Sequence, residues 1–106
     1  MAKVEVQGVV TASGTKVWMY FDAQEKLRRF TGDISPSVLP FTSAGATLTY
    51  TNIESLSGAK TITSGTIGTY TFSVYFDDGN SVVGTINKPL ADSIPITGSG
   101  VWDTPN

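Results

Sequence analysis

Two short motifs each occur twice in this chain, in the same order and at the same spacing. Tyr-Phe-Asp stands at residues 20–22 and again at 75–77, and a Pro-x-Thr motif stands at 40–42 and again at 95–97, both at an offset of 55. Reuse of Gly, Thr and Pro at β-turns would not also repeat Tyr-Phe-Asp. The pattern therefore predicts an internal duplication.

The stretch between these anchors differs in length from one copy to the other. Residues 31–34 best match residues 83–86, at an offset of 52. The first copy therefore has a hairpin three residues longer and a following connection three residues shorter than the second. This compensated change fits two halves, at about 3–52 and about 58–103, within one domain that spans residues 1–106.

Alternating apolar and polar side chains predict β-strands in both halves. Val17, Met19 and Phe21 alternate with Lys16, Trp18 and Tyr20, and a period of two places the first set on the core face of a strand. The second copy shows the same alternation. Eight candidate strands result, at residues 4–11, 15–22, 30–34, 46–52, 60–66, 69–77, 81–86 and 98–103.

The segments between these strands carry turn residues. Asp78-Gly79 is the strongest hairpin signal, and residues 12–14 and 67–68 are predicted as further turns. Residues 22–29 contain good helix formers but are too few for a stable helix, so they are predicted as a long hairpin loop with at most one helical turn.

A half with one apolar face cannot bury that face alone, whereas two halves facing each other can. The connections at 34–40 and 86–95 are too long for tight hairpins and resemble Greek-key crossings. The predicted fold is all-β: eight short antiparallel strands in a flattened barrel or sandwich of two Greek-key halves related by internal duplication. A chain of 106 residues can form one such core without a disulfide or metal.

The second half resembles a known family. Residues 68–77 read Gly-Thr-Tyr-Thr-Phe-Ser-Val-Tyr-Phe-Asp, and a glycine-bearing turn, Val-Val-Gly-Thr-Ile at 82–86 and Gly-Ser-Gly-Val-Trp at 98–102 follow. This run resembles the core of the virulence-associated proteins (Vap family) of Rhodococcus. The resemblance implies an eight-stranded, cysteine-free, secreted barrel of two Greek-key halves without established catalytic residues.

The chain departs from that family in two respects. The family carries a signal peptide and a variable N-terminal segment, which this sequence does not show. Residues 88–92 read Lys-Pro-Leu-Ala-Asp, where the family is glycine-rich. The expected location is secreted or extracellular, with a cytoplasmic location left open.

The residues of acid–base and nucleophilic catalysis are scarce. The chain has no histidine and no cysteine, so Ser-His-Asp and Cys-His arrangements are impossible, and its acids fall mostly in predicted turns. Asp77-Asp78-Gly79-Asn80 has the oxygen-rich character of a calcium loop but lacks the spacing and closing Glu of an EF-hand, which favours a β-turn. We expect no enzymatic activity, no cofactor and no metal.

The charge pattern bears on the partners. A net charge of −2, with 15 % charged residues, supplies no basic stripe and argues against nucleic acid. Lys26, Arg28 and Arg29 form a basic cluster, which is either a solvated hairpin tip or a contact for phosphate or anionic lipid. The oligomeric state is left open.

Aromatic residues are the remaining candidates for a binding site. If Val17, Met19 and Phe21 point inward, Trp18 and Tyr20 point outward, as does Tyr75 in the second copy, where such rings could anchor a ligand or partner. The alternative is that a loop or the other half covers them. Trp102, near the end of the last strand, is expected to plug the core.

Three functions therefore remain as hypotheses. The first is a non-catalytic, secreted, Vap-like β-barrel that acts by surface contact with host membranes or host proteins. The second is a carbohydrate-binding module or small lectin, and the third is a structural or assembly subunit.

Overall fold

The computed structural model describes residues 3–87 and 91–104, and all strand pairings in this part of the chain are antiparallel. The strands are β1 (Val4–Ala23), β2 (Lys26–Tyr50), β3 (Gly58–Ile67), β4 (Thr71–Phe76), β5 (Ser81–Thr85) and β6 (Ile94–Asp103), and a single 3₁₀ turn, Ile53–Ser55, links β2 to β3. The prediction of an all-β fold is confirmed.

Five of these strands close into a barrel. The sheet order is β1-β2-β5-β4-β3-β6, and β2 also pairs with β6, so that β2, β5, β4, β3 and β6 form a ring. Closure is possible because β2 is long: its first part pairs with β6 from Arg29 to Ser35, and its last part pairs with β5 from Thr47 to Thr49. The additional strand, β1, pairs with β2 from end to end.

The described residues form six strands, so the prediction of eight is wrong. The predicted strands at 4–11 and 15–22 are both parts of β1, and those at 30–34 and 46–52 both lie largely within β2. The predicted turn at 12–14 and the predicted crossing connection at 34–40 are strand as well. The physical reason is that β1 and β2 bend at register shifts, which turn a strand without ending its ladder.

The bend of β1 brings distant parts of that strand together. Gly8, near the start of β1, lies against Tyr20 and Phe21, near the end of the same strand. A Cβ added at Gly8 would be 2.0 Å from the carbonyl oxygen of Tyr20 and 2.6 Å from the ring of Phe21. Only glycine permits this approach. No sequence motif marks residue 8, yet the bend requires glycine there.

The predicted long loop at 22–29 is also wrong. Ala23 pairs with Lys26, which leaves a two-residue turn, Gln24-Glu25, with φ of 52° and 65°. Positive φ at both central residues is the geometry of a type I′ turn, normally signalled by Asn-Gly or Asp-Gly, and this sequence lacks that signal. The helix formers on either side of this turn, Ala23 and residues 26–29, are therefore in strands.

The turn between β4 and β5 is confirmed. The backbone N–H of Gly79 donates to the carbonyl oxygen of Phe76 at 3.1 Å, and Gly79 has a φ of 89°. The Asp78 carboxylate accepts from the backbone N–H of Asn80 at 3.0 Å. This is the side-chain-stabilised β-turn expected for Asp77-Asp78-Gly79-Asn80.

The connection predicted at 86–95 leads from β5 to β6, which lie three places apart in the sheet order. Residues 88–90 of this connection lie outside the described residues. The predicted short connection at 67–68 follows the end of β3, where the backbone N–H of Gly68 donates to the carbonyl oxygen of Thr71 at 2.7 Å.

Both halves contribute to one hydrophobic core. The rings of Phe21 and Phe76 both pack on Trp102, with centroid distances of 6.4 Å and 6.0 Å, and Phe30 packs on Trp102 at 5.2 Å. Val17, Met19 and Phe21 are all buried, as predicted. The prediction of a shared core, with Trp102 buried in it, is confirmed.

Candidate binding face

The inside of the barrel is filled by side chains. Its cavity measures about 10 Å³ and is lined only by apolar residues, among them Met19, Phe41 and Ile96. A cavity of that size holds one water at most, whereas ligand sites need about 300 Å³ or more. A candidate binding site must therefore lie on the outer surface.

One part of the outer surface combines aromatic, charged and hydroxyl side chains. Residues directly opposite each other on paired strands present their side chains to the same face of a sheet, so the registers define rows across β1, β2, β6 and β3. We call the three rows together the Trp18 face: Tyr20–Arg29–Asp103, Trp18–Thr31–Val101–Ala59 and Lys16–Asp33–Ser99–Thr61.

Trp18 and Tyr20 of β1 point away from the core, which is the first of the two alternatives that the sequence left open for them. Tyr20 is 37 % exposed and Trp18 is half-buried. Next to them on β6, Val101 is 50 % exposed, which is high for an apolar side chain on a strand. The middle row of the face thus offers apolar surface, and the rows on either side of it are polar.

The charges of the face occur in pairs. The Nε and Nη2 atoms of Arg29 donate to the two carboxylate oxygens of Asp103 at 3.0 Å and 2.6 Å, and Lys16 forms an ion pair with Asp33. The hydrogen bond from Arg29 lowers the pKa of Asp103, and the same bond raises the pKa of Arg29. Each of these two cations is therefore neutralised by a carboxylate on the neighbouring strand.

An open groove of about 400 Å³ crosses the face over β2, β6 and β3. It is lined by Thr31, Asp33, Ala59, Lys60, Thr61, Ser99, Gly100 and Val101. Lys60 belongs to a third ion pair, since its Nζ lies 3.4 Å from the Asp78 carboxylate. The groove therefore combines hydroxyl groups, a carboxylate and small apolar side chains, with its charges again in pairs.

The structure brings together only part of the predicted site. Trp18, Tyr20 and Arg29 lie together on the Trp18 face. Tyr75, 47 % exposed, is on β4, between β5 and β3 in the sheet order, and its outward row is Ser64–Tyr75–Ser81–Thr49. Tyr75 is therefore not part of the Trp18 face.

The predicted basic cluster is divided between two faces of the sheet. Arg28 lies opposite Phe21, on the other face from Arg29, and its Nη1 donates to the hydroxyl of Thr104 at 3.4 Å. Lys26 lies opposite Ala23 beside the hairpin turn. The three cations consequently do not form one continuous basic surface.

Sequence reasoning missed most of the groove. The alternation around Trp102 could have placed Val101 outward, because adjacent strand residues point to opposite faces. No local signal places Ser99 beside Asp33, however, since that pairing joins strands far apart in the chain. The groove depends on that non-local register.

Comparisons with protein-family models, with curated proteins and with solved structures yield no match for this chain. Within residues 3–87 and 91–104, no group of three or more Asp, Glu, His or Cys side chains is arranged to hold a metal ion. Over those same residues, no helix has the length and apolar character needed to span a bilayer.

Proposed function

We propose that the protein is a non-catalytic, secreted binding module that acts by contact between the Trp18 face and a host-cell surface. The observation that carries the proposal is the contrast between a filled interior and an outer face that presents Trp18, Tyr20 and Val101 among ordered charge pairs. Exposed aromatic and apolar side chains surrounded by polar groups are typical of contact surfaces. The resemblance of residues 68–102 to the virulence-associated proteins motivates the choice of a host surface.

The absence of catalysis rests on the side chains available. The chain contains no histidine or cysteine. The two carboxylates of the Trp18 face, Asp33 and Asp103, are each paired with a cation, and Arg29 holds the pKa of Asp103 below its ordinary value. A carboxylate held ionised in this way cannot serve as a proton donor near neutral pH.

Within the proposal, protein or glycan contact has more support than contact with an anionic bilayer. Attraction to acidic lipid needs several cations on one surface. Here Arg28 and Arg29 point to opposite faces, and Arg29 is neutralised by Asp103. Lys26 alone would add little to membrane affinity.

The test uses fluorescently labelled protein on cultured mammalian cells, read by flow cytometry. Val101→Gln places a polar group in the middle of the Trp18 face, and Val83→Gln is the matched control because Val83 is a β-strand valine of similar exposure, 41 %, on β5. Loss of one apolar contact weakens binding by about tenfold, so V101Q should bind about tenfold less well than the wild type and V83Q should be unchanged. Equal binding of both variants, or no binding by the wild type, would show the proposal to be wrong.

Liposomes decide between a membrane and a non-lipid surface. Flotation with neutral and with acidic vesicles should leave the wild type unbound. Binding to acidic vesicles that is lost on replacing Lys26, Arg28 and Arg29 by Gln would move the contact to the bilayer and away from the Trp18 face.

We also propose that the barrel consists of two halves related by duplication, and the strand registers support this. Tyr20 lies opposite Arg29 across β1 and β2, and Tyr75 lies opposite Ser81 across β4 and β5. These are the partners that the offsets of 55 and 52 require. The hairpin of each half thus has the same register, although their turns differ in length.

The pairings between the halves correspond in the same way. Phe30 lies opposite Trp102 where β2 meets β6, and Leu48 lies opposite Val82 where β2 meets β5. The offset of 52 carries Phe30 onto Val82, and an offset of 54, one residue less than that of the Pro-x-Thr anchors, carries Leu48 onto Trp102. An approximate twofold axis would exchange these two contacts, as expected when two copies of one unit pack together.

A further inference from the structure

The groove of the Trp18 face has the dimensions of a ligand site. Its volume of about 400 Å³ falls within the range of about 300–1,000 Å³ seen for small-molecule sites, and it is open along one side. An extended, chain-like molecule can lie in such a groove without entering the protein.

The strand in the middle of the groove leaves no backbone edge for a peptide. β6 pairs with β2 on one side and with β3 on the other, so its backbone N–H and C=O groups are already committed along the groove. β3 pairs with β4 only from Ile62 onward, so the free edge of its residues 58–60 is the one away from β6. A peptide therefore cannot add a strand to β6, which is the usual way in which a sheet captures an extended chain. Recognition over β6 must come from side chains.

The side chains in the groove are hydroxyls and one carboxylate. Thr31, Thr61 and Ser99 each have a hydroxyl that can donate one hydrogen bond and accept two, and no side-chain hydrogen bond is recorded for any of them within residues 3–87 and 91–104. The ion pair with Lys16 engages Oδ1 of Asp33, so Oδ2 remains able to accept. This set suits a ligand with many hydroxyl groups.

The paired charges favour a neutral ligand. Three cations at or beside the groove are each matched by a carboxylate, in the pairs Lys16–Asp33, Arg29–Asp103 and Lys60–Asp78. An anion would have to draw a cation away from its partner. A neutral polyol needs only hydrogen bonds and disturbs none of the three pairs.

The middle row supplies the apolar surface that a sugar ring needs. Trp18 lies opposite Thr31, which lies opposite Val101, so an aromatic ring and an exposed apolar side chain flank a hydroxyl. A pyranose ring has one face of C–H groups and an edge of hydroxyls. One ring of an oligosaccharide can pack its C–H face on Val101 in the groove and a neighbouring ring can pack on Trp18 beside the groove, while their hydroxyls reach Thr31 and Ser99.

We propose that this groove binds a neutral oligosaccharide, with Val101 in the groove and Trp18 beside it as the apolar contacts and with Thr31, Asp33, Thr61 and Ser99 as hydrogen-bonding groups. The inference rests on the proposed function, which makes the Trp18 face the contact surface. It adds the chemical class of the ligand.

The experiment is a glycan array that contains neutral maltose, cellobiose, chitobiose and N-acetyllactosamine series together with their sialylated or sulfated counterparts. The wild type should retain neutral oligosaccharides, and isothermal titration with the best of them should give an affinity that changes less than twofold between low and high salt. Retention of charged glycans alone, with binding that falls steeply with salt, would overturn the inference.

Two variants place the ligand in the groove. Thr61→Val removes a hydroxyl while keeping the branched shape and should weaken binding of the selected oligosaccharide by about tenfold. Thr66→Val is the matched control: Thr66 is an exposed threonine on the same strand, β3, outside the groove lining. Equal affinities of T61V and wild type, or an equal loss in T66V, would overturn the proposed location.

The glycan experiment and the cell-binding experiment can fail independently of each other. A wild type that binds cells in a Val101-dependent way but retains no glycan on the array would overturn the oligosaccharide inference and leave the binding module intact. Failure to bind either cells or glycans would overturn both.

Discussion

The row Tyr20–Arg29–Asp103 and the row Tyr75–Ser81–Thr49 are the rows that the proposed duplication relates to each other. Each begins with a tyrosine that precedes a buried phenylalanine. Beyond the tyrosine the rows differ: the first continues with an ion pair and borders the groove, whereas the second continues with two hydroxyl residues. Phe21 and Phe76 are thus alike, as are the outward tyrosines before them, whereas Arg29 and Asp103 differ from Ser81 and Thr49.

The difference has a physical basis. Phe21 and Phe76 both pack on Trp102, so the shape of one core limits what either residue can become. Outward side chains meet solvent and can change at a cost of a few tenths of a kcal/mol. Features present on one outer surface but not on its counterpart are therefore the better guide to function, and the Trp18 face is where they occur.

The largest loss of stability is expected at the two corresponding phenylalanines, Phe21 and Phe76. Phe21→Ala and Phe76→Ala each remove a ring that is at least 97 % buried and should each lower the free energy of unfolding by about 3–5 kcal/mol. Urea unfolding followed by tryptophan fluorescence measures this. Tyr20→Ala and Tyr75→Ala are the outward controls and should each cost about 1 kcal/mol or less.

A strongly unequal outcome would break the comparison. If F21A unfolds the protein while F76A is tolerated, the core depends on one half, and the equivalence of the two phenylalanines is wrong.

The second prediction concerns how each half closes. In the second half, β3 and β4 are separate paired strands with one register shift between Ile62 and Ser64, whereas in the first half a single strand, β1, bends so that Gly8 lies against Tyr20. Gly8→Ala should therefore lower the free energy of unfolding by about 1–3 kcal/mol, because the new methyl group clashes with backbone that cannot easily move. The control is Gly45→Ala, since an added Cβ at Gly45 meets no atom within 4 Å.

Thermal unfolding of the two glycine variants gives the answer directly. A Tm of G8A equal to that of the wild type would mean that the bend of β1 relaxes freely and that the first half does not close at this point.

The extent to which this fold could be predicted follows from the same division between core and surface. Alternation correctly placed Val17, Met19 and Phe21 inside, because strand periodicity is local. It failed to show that β1 and β2 are continuous, because a bulge depends on the partner strand. It also failed at Gln24-Glu25, where tertiary pairing imposes positive φ on residues that do not favour it.

The candidate site was predictable only in its local part. Trp18 and Tyr20 could be placed outward from their own strand. The groove could not be predicted, because it needs the pairing of Asp33 with Ser99 and of Ser99 with Thr61, which is set by barrel closure and not by any neighbouring residue. For the same reason, proximity in sequence wrongly grouped Arg28 with Arg29.

The smallest effect is expected from the ion pair that distinguishes the two rows. Arg29 lowers the pKa of Asp103 below its ordinary value of 3.8 through a hydrogen bond to the charged carboxylate. Because the pKa is lower in the folded state than in the unfolded state, this contribution to stability is present above pH 3.8 and is lost as the pH falls through the folded-state pKa. Both side chains are exposed, so the contribution is small and decreases with salt.

The urea midpoint of Asp103→Asn should accordingly lie slightly below that of the wild type at pH 6, and the two midpoints should converge at acid pH. Thr49→Ala changes the place that corresponds to Asp103 in the second row and should differ from the wild type by the same amount at both pH values, since no titrating group is involved. A difference for D103N that does not depend on pH would mean that Arg29 and Asp103 act through packing and that their charges add nothing.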